Sequence, residues 1–179
     1  MFYTVFFGLP LWLEEARGYT PGMTGVLLLP VAGIGVLSTP VSARLIARSG
    51  PRLSLIVGSF LLLLGCFLLL ALNVTTPVPV LLVIGAVLGV PNGFNNLGLQ
   101  AALYEAAPAS QIGAAGGLLQ TCRYIGAIFS TALIALILGT SATSEQLHTL
   151  ALIIAVISAL LVVASMLTRG MSDTPDVKA

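Results

Sequence analysis

Twenty consecutive residues without a charge decide the fold class of this chain: Leu53–Leu72, which reads LSLIVGSFLLLLGCFLLLAL. A bilayer core of roughly 30 Å is crossed by about 20 apolar residues of helix, so this stretch has the length of one membrane crossing. The leucine run 61–64 within it does not alternate with polar residues, as the strands of a transmembrane barrel do. The stretch therefore predicts a transmembrane helix.

Similar apolar runs lie on both sides of this stretch. The predicted spans cover residues 2–13, 24–46, 53–72, 80–103, 112–138 and 148–168, and a polar tail follows over 169–179. Because the first run is short, we expect about five full spans and one partial span. The sequence thus predicts an all-α, polytopic membrane helical bundle formed by residues 1–168.

The composition excludes several functional classes. The 179 residues are 58% hydrophobic and 7% charged, whereas a soluble domain has roughly 25% charged residues. A net charge of +1 provides no basic surface for nucleic acid. Cys66 and Cys122 lie in apolar runs without a CxxC pair or a ligand cluster, so we expect neither a metal nor a cofactor. No span contains HExxH or paired aspartates, so the sequence does not predict an enzyme.

Basic residues near the span ends predict the orientation in the membrane. Arg44, Arg48 and Arg52 cluster in the short connection between the second and third spans, and short basic connections stay on the cytoplasmic side. Arg169 and Lys178 then also lie inside, because the later spans alternate. We therefore expect a cytoplasmic C-terminus.

This basic connection also carries a family resemblance. Gly50 and Pro51 break the helix within it and force a tight turn. The segment resembles the second copy of the cytoplasmic loop motif of the major facilitator superfamily, G-x-L-a-D-R-x-G-R-[KR]. The matching residues are Leu45, Arg48, Gly50 and Arg52, while Ala43 and Ala47 replace the glycine and the aspartate of the motif. Arg44 lies beside them.

Two further segments resemble the fourteen-helix drug:proton antiporters of that superfamily. Residues 11–20 and then 25–30 are similar to the outer loop and the following helix of these antiporters. The segment QTCRYIG over 120–126 is similar to their Q-x-x-R-x-x-G motif. The resemblance covers Trp12 to Thr168 and only the C-terminal half of such a transporter. It implies half of a major facilitator fold in a bacterial inner membrane, working by alternating access. It also implies efflux of a small hydrophobic or amphipathic substrate against protons.

The position of the acidic residues leaves two functional interpretations open. All of them lie at or beyond span ends: Glu14, Glu15, Glu105, Glu145, Asp173 and Asp176. A proton-coupled transporter needs a titratable group within the membrane. As a transporter half, the chain would therefore need an N-terminal half that carries the proton site, or a homodimer partner. Alternatively, the chain is a truncated or structural membrane protein without transport activity of its own.

The fourth span carries two stripes of residues at a spacing of four. Gly85, Gly89 and Gly93 form the first, which allows a neighbouring backbone to approach closely. Asn92, Asn96 and Gln100 form the second, and Asn95 lies next to it. Amides in hydrocarbon must be hydrogen-bonded or face a wet cavity. The stripe therefore predicts either a substrate cavity or hydrogen bonds between helices, and for Gln100 the second interpretation is favoured.

Arg123 is a charge placed deep within a span. It lies eleven residues after Ile112, or about 16 Å along a helix, which is close to the bilayer midplane. An ionisable residue at this depth is a functional hypothesis by default. We expect a role in the substrate cavity or in coupling, and the alternative is an arginine that bonds backbone carbonyls and holds two halves together.

Overall fold

A computed structural model describes residues 2–139 and 143–167, in which every regular element is helical. The helices are α1 (Phe2–Glu15), α2 (Pro21–Leu70), α3 (Val78–Ala106), α4 (Ile112–Leu138) and α5 (Ser144–Leu167), and a 3-10 turn, Ala109–Gln111, precedes α4. Four segments among them are long and apolar enough to cross a membrane. The predicted all-α membrane bundle is confirmed. The predicted tail 169–179 and Thr168 lie outside the described residues.

Helix α2 is bent at the glycine where the sequence predicts a turn. Its 50 residues would span about 75 Å as one straight helix, against roughly 30 Å of hydrocarbon. Gly50 has φ 76° and ψ 169°, a conformation open to glycine and strained for other residues. We call residues 21–49 the first arm of α2 and residues 51–70 the second arm. Each arm is long enough for one crossing.

Helices α2 and α5 begin before the apolar runs that predict them, and polar residues cap both starts. Helix α2 begins at Pro21, where the Thr20 side chain accepts a hydrogen bond from the Met23 amide at 3.4 Å. Helix α5 begins at Ser144, within the predicted loop, because Thr143 and Gln146 form a capping box. The Gln146 side chain accepts from the Thr143 amide at 3.0 Å, and the Thr143 hydroxyl accepts from the Gln146 amide at 3.4 Å.

The glycine stripe of α3 lies against the first arm of α2. A Cβ atom on Gly89 would collide with the carbonyl oxygen of Val31, and one on Gly93 would collide with the Ser38 hydroxyl. At Gly85 the corresponding contact is with the Val31 side chain, at 3.2 Å. The Ser38 hydroxyl also donates to the Val90 carbonyl of α3 at 3.1 Å. The two backbones therefore approach as closely as only glycine permits.

Five of the largest fully buried side chains gather at one end of the bundle. Trp12 and Leu13 at the end of α1 meet Leu72, Leu138 and Leu147, and all five are at most 2% exposed. We call this the closed end. We call the opposite end, which holds the Gly50 turn and the last residues of α5, the arginine end. Packing at the closed end leaves little room for a solute to pass through this part of the bundle.

We predict that Gly89→Ala destabilises the protein by about 1–3 kcal/mol, because the added methyl group must displace the backbone of the first arm. The matched control is Gly33→Ala, since Gly33 lies on the first arm with open space around it. Alanine favours a helix over glycine, so the control should be neutral or slightly stabilising. Thermal unfolding in detergent compares the two variants. Equal stability of both would contradict the close α2–α3 contact.

Candidate substrate cavity

A cavity of about 510 Å³ lies in the half of the bundle nearer the arginine end. Its wall includes residues from every long helix, with α3 and α4 supplying most of the polar groups. The lining residues are Val5, Val31, Leu55, Ser59, Leu62, Leu88, Pro91, Asn92, Asn95, Asn96, Leu99, Gln120, Arg123, Gly126, Leu161 and Ser165. The volume lies within the roughly 300–1,000 Å³ of small-molecule sites.

Asn92 and Asn96 of the amide stripe of α3 line this cavity, together with the adjacent Asn95. Asn96 donates to the side-chain oxygen of Asn92 one turn earlier, so this hydrogen bond lies within α3 and joins no other helix. The side-chain oxygen of Asn95 is buried and lacks a hydrogen-bond partner among the described residues. It lies where a Cβ atom on Gly58 of the second arm would stand. This geometry favours the cavity interpretation of the asparagines over hydrogen bonds between helices.

Helix α4 places the motif Q-x-x-R-x-x-G on one face. Gln120, Arg123 and Gly126 all line the cavity, since residues three apart lie on the same side of a helix. Of these three residues, only Arg123 was a candidate site residue from the sequence. The spacing of three within the motif is the signal that would have identified them. Ser59 and Ser165 also line the cavity, and no spacing in the sequence indicated either residue.

The guanidinium of Arg123 is only partly satisfied. Its NH2 nitrogen is buried and has no hydrogen-bond partner among the described residues. The acidic residues of this part of the chain, Glu14, Glu15, Glu105 and Glu145, lie outside the cavity lining. A buried cation without a counterion is costly in a medium of low dielectric constant. Among the described residues, no carboxylate in the cavity lining neutralises the charge of Arg123.

Other candidate residues lie away from the cavity. Gln100 is half-buried and lies one turn beyond Asn96, outside the lining. Arg44 and Arg48 are exposed at the arginine end. Arg52 instead crosses to α5, where its Nε donates to the Ser165 carbonyl at 3.2 Å and its NH2 donates to the Met166 carbonyl at 2.8 Å. It thereby caps the last turn of α5, whose carbonyls have no helical partner.

The sequence profile of the Major Facilitator Superfamily matches residues 1–131. This chain belongs to that superfamily. The match extends from α1 through the cavity face of α4, so Asn92, Asn95, Asn96 and Arg123 all lie within it. The superfamily consists of transporters, which agrees with an integral membrane protein. No solved structure matches the chain significantly.

Similar curated proteins come from bacteria. The chain is 31% identical to the uncharacterised MFS-type transporter YwoD of Bacillus subtilis over 85% of its length and 34% of the relative. It is 29% identical to the multidrug resistance protein Stp of Mycobacterium tuberculosis over 75% of its length and 25% of the relative. It is 28% identical to the tetracenomycin C resistance and export protein of Streptomyces glaucescens, again over 75% of its length and 25% of the relative. The chain thus spans about a quarter to a third of these relatives.

We predict that Arg52→Gln loosens the last turn of α5, because two carbonyls lose a charged donor. A decrease of about 1 kcal/mol in the free energy of opening this turn corresponds to roughly fivefold faster amide exchange. Hydrogen–deuterium exchange over residues 160–167 measures it. Arg48→Gln is the control, since that side chain is exposed on the same turn. Equal exchange in both variants would show that the Arg52 cap contributes nothing.

Proposed function

We propose that this chain forms the C-terminal, substrate-binding half of a secondary efflux transporter that works by alternating access. The observation that carries the proposal is the cavity that brings Asn92, Asn95, Asn96 and Arg123 together in a member of a transporter superfamily. Alternating access requires a site near the middle of the membrane that opens to one side at a time. A half-bundle with this cavity supplies one wall of such a site.

The asymmetry of the bundle supports an inward-facing arrangement. Packing is dense at the closed end, whereas the cavity extends to Ser165, close to the end of α5. The arginine end carries Arg44 and Arg48, which favour the cytoplasmic side under the positive-inside rule. In this proposal the C-terminus is cytoplasmic and the cavity is open to the cytoplasm of a bacterial cell.

A small hydrophobic or amphipathic drug suits this cavity as substrate. Leucines from three different helix segments line it, and a few amides and one guanidinium provide the polar contacts. The relatives include proteins named for multidrug resistance and for tetracenomycin C export, which supports efflux as the direction of transport. In the proposed mechanism the drug binds from the cytoplasmic side and leaves after the two halves rock about it.

Proton coupling is proposed to depend on a second, N-terminal half. No acidic residue in 2–139 or 143–167 lines the cavity, and coupling requires a group that titrates within the membrane. A carboxylate from the other half would be close enough to Arg123 to have its charge tuned by the guanidinium. Either a separate N-terminal half or a second copy of the chain would complete the polar wall.

The role of Arg123 is tested in the complete transporter. We predict that Arg123→Gln abolishes drug resistance while membrane insertion stays intact, because the uncharged side chain lowers the cost of burial. Arg123→Lys should be partly active if the positive field suffices and inactive if the planar, bidentate geometry is required. The measurements are the resistance of cells to a panel of drugs and the expression level.

The matched control is Arg44→Gln, which removes the same charge at the exposed arginine end. It should mainly weaken orientation in the membrane and leave drug binding unaffected. Normal resistance with Arg123→Gln at normal expression would refute the coupling role and favour an arginine that only packs.

The requirement for a partner half leads to a separate prediction. The purified chain alone, reconstituted in liposomes, should show no drug flux driven by a proton gradient, because its described residues place no carboxylate in the cavity. Adding an N-terminal half should restore flux. Robust proton-driven flux by the chain alone would contradict the proposal, and absence of flux in both preparations would favour a structural protein.

A further inference from the structure

We propose that the cavity selects anionic amphiphiles, whose negative group binds Arg123 while the apolar body packs against the leucines. The inference rests on the proposed transport function, because it names the substrate class of the same cavity. The proposal excludes cationic drugs as preferred ligands. It also excludes small inorganic anions, which have no apolar body.

The charge of the cavity wall favours an anion. Arg123 is the charged residue in the lining, and neither the lining nor the hydrogen bonds of the described residues supply it with a carboxylate. Its unpartnered NH2 nitrogen is buried rather than hydrated. In a medium of low dielectric constant such a charge repels a cation and attracts an anion much more strongly than it would in water.

The hydrogen-bond donors at and near Arg123 suit an anionic group with two or more oxygens. A guanidinium offers a planar fork that matches two oxygens of a carboxylate or a sulfonate. Gln120 lines the cavity one turn before Arg123 and adds an amide on the same face of α4. On α3, one of the two amide hydrogens of Asn96 is engaged with Asn92. Helix α4 therefore supplies the charged fork and a neighbouring amide donor on one face.

The remainder of the cavity wall is largely apolar, which suits a ligand with an apolar body. Leu55, Leu62, Leu88, Leu99 and Leu161 line it, and the volume of about 510 Å³ far exceeds that of a carboxylate or sulfonate group. Burial of apolar surface stabilises a bound ring system. The combination of one cationic fork with an apolar wall fits a molecule that carries an anionic group at one edge of an aromatic or aliphatic body.

Two fluorescent probes with the same apolar body test this selectivity. They are 8-anilinonaphthalene-1-sulfonate, which is an anion, and N-phenyl-1-naphthylamine, which lacks the sulfonate. Their dissociation constants are measured for the protein in phosphatidylcholine nanodiscs, and the signal of empty nanodiscs is subtracted. The ratio of the two constants within one variant is the readout, because a general loss of packing weakens both probes and leaves the ratio unchanged.

The wild-type protein should favour the sulfonate, and Arg123→Gln should reduce the preference by about 10–100-fold, the range for hydrogen bonds to charged groups. Arg123→Lys should keep part of it, because the charge remains. The control Arg48→Gln, at an exposed arginine, should leave the ratio unchanged. A repeat in nanodiscs with phosphatidylglycerol identifies the source of the anion: competition supports a lipid headgroup, and no competition supports a free amphiphile.

An unchanged ratio in Arg123→Gln would overturn the proposal, as would a wild-type protein that binds both probes equally. The second result is also expected if a carboxylate elsewhere in the protein neutralises Arg123. Because the measurement is of binding, it separates this inference from the transport proposal. Lost drug resistance with an unchanged probe ratio would refute anion selectivity alone, whereas a changed ratio without any flux would refute transport alone.

Discussion

The backbone of Gly89 lies against the carbonyl group of Val31, and the position of α3 relative to α2 depends on this contact. A helix in hydrocarbon gains little from hydrophobic association, so close van der Waals packing must hold it in place. With the glycine stripe turned toward the first arm, Asn92, Asn95 and Asn96 are directed to the cavity. The same stripe that secures α3 thereby fixes the polar wall of the site.

Two buried serines near the bend of α2 are hydrogen-bonded, in contrast to some polar groups of the cavity. The Ser54 hydroxyl donates to the Phe94 carbonyl at 3.0 Å, so in the 2.8 Å pair with Ser42 it is the Ser42 hydroxyl that donates. Both serines are fully buried. Asn95 and Arg123 retain buried atoms without partners. Trp12, Arg17 and Thr24 retain such atoms as well, but of these five residues only Asn95 and Arg123 line the cavity. Such atoms are costly in hydrocarbon, so in the cavity they are the groups for a ligand to satisfy.

The sequence predicted those features that depend on local pattern. The apolar runs predicted the helices, and Gly50 with Pro51 predicted the bend, because both signals lie within a few residues. The predicted helix ends were less accurate, because hydropathy takes no account of caps such as Thr143 with Gln146. The T-x-x-Q spacing in the sequence was the signal for this cap. The acceptors of Arg52 on α5 lie 113 and 114 residues away, and no local pattern indicates them. The cavity likewise exists only once five helices are arranged around it.

The packing at the closed end has a consequence for biosynthesis. A Cβ atom on Gly8 would stand 2.9 Å from a methyl group of Leu150, so α1 packs directly on α5. The two arms of α2 and α3 are neighbours in sequence and can associate as soon as they enter the membrane. Helix α1, by contrast, must wait in the lipid until α5 has left the ribosome before Trp12 and Leu13 acquire their full set of neighbours. During that interval the face of α1 that carries Gly8 contacts lipid instead of Leu150.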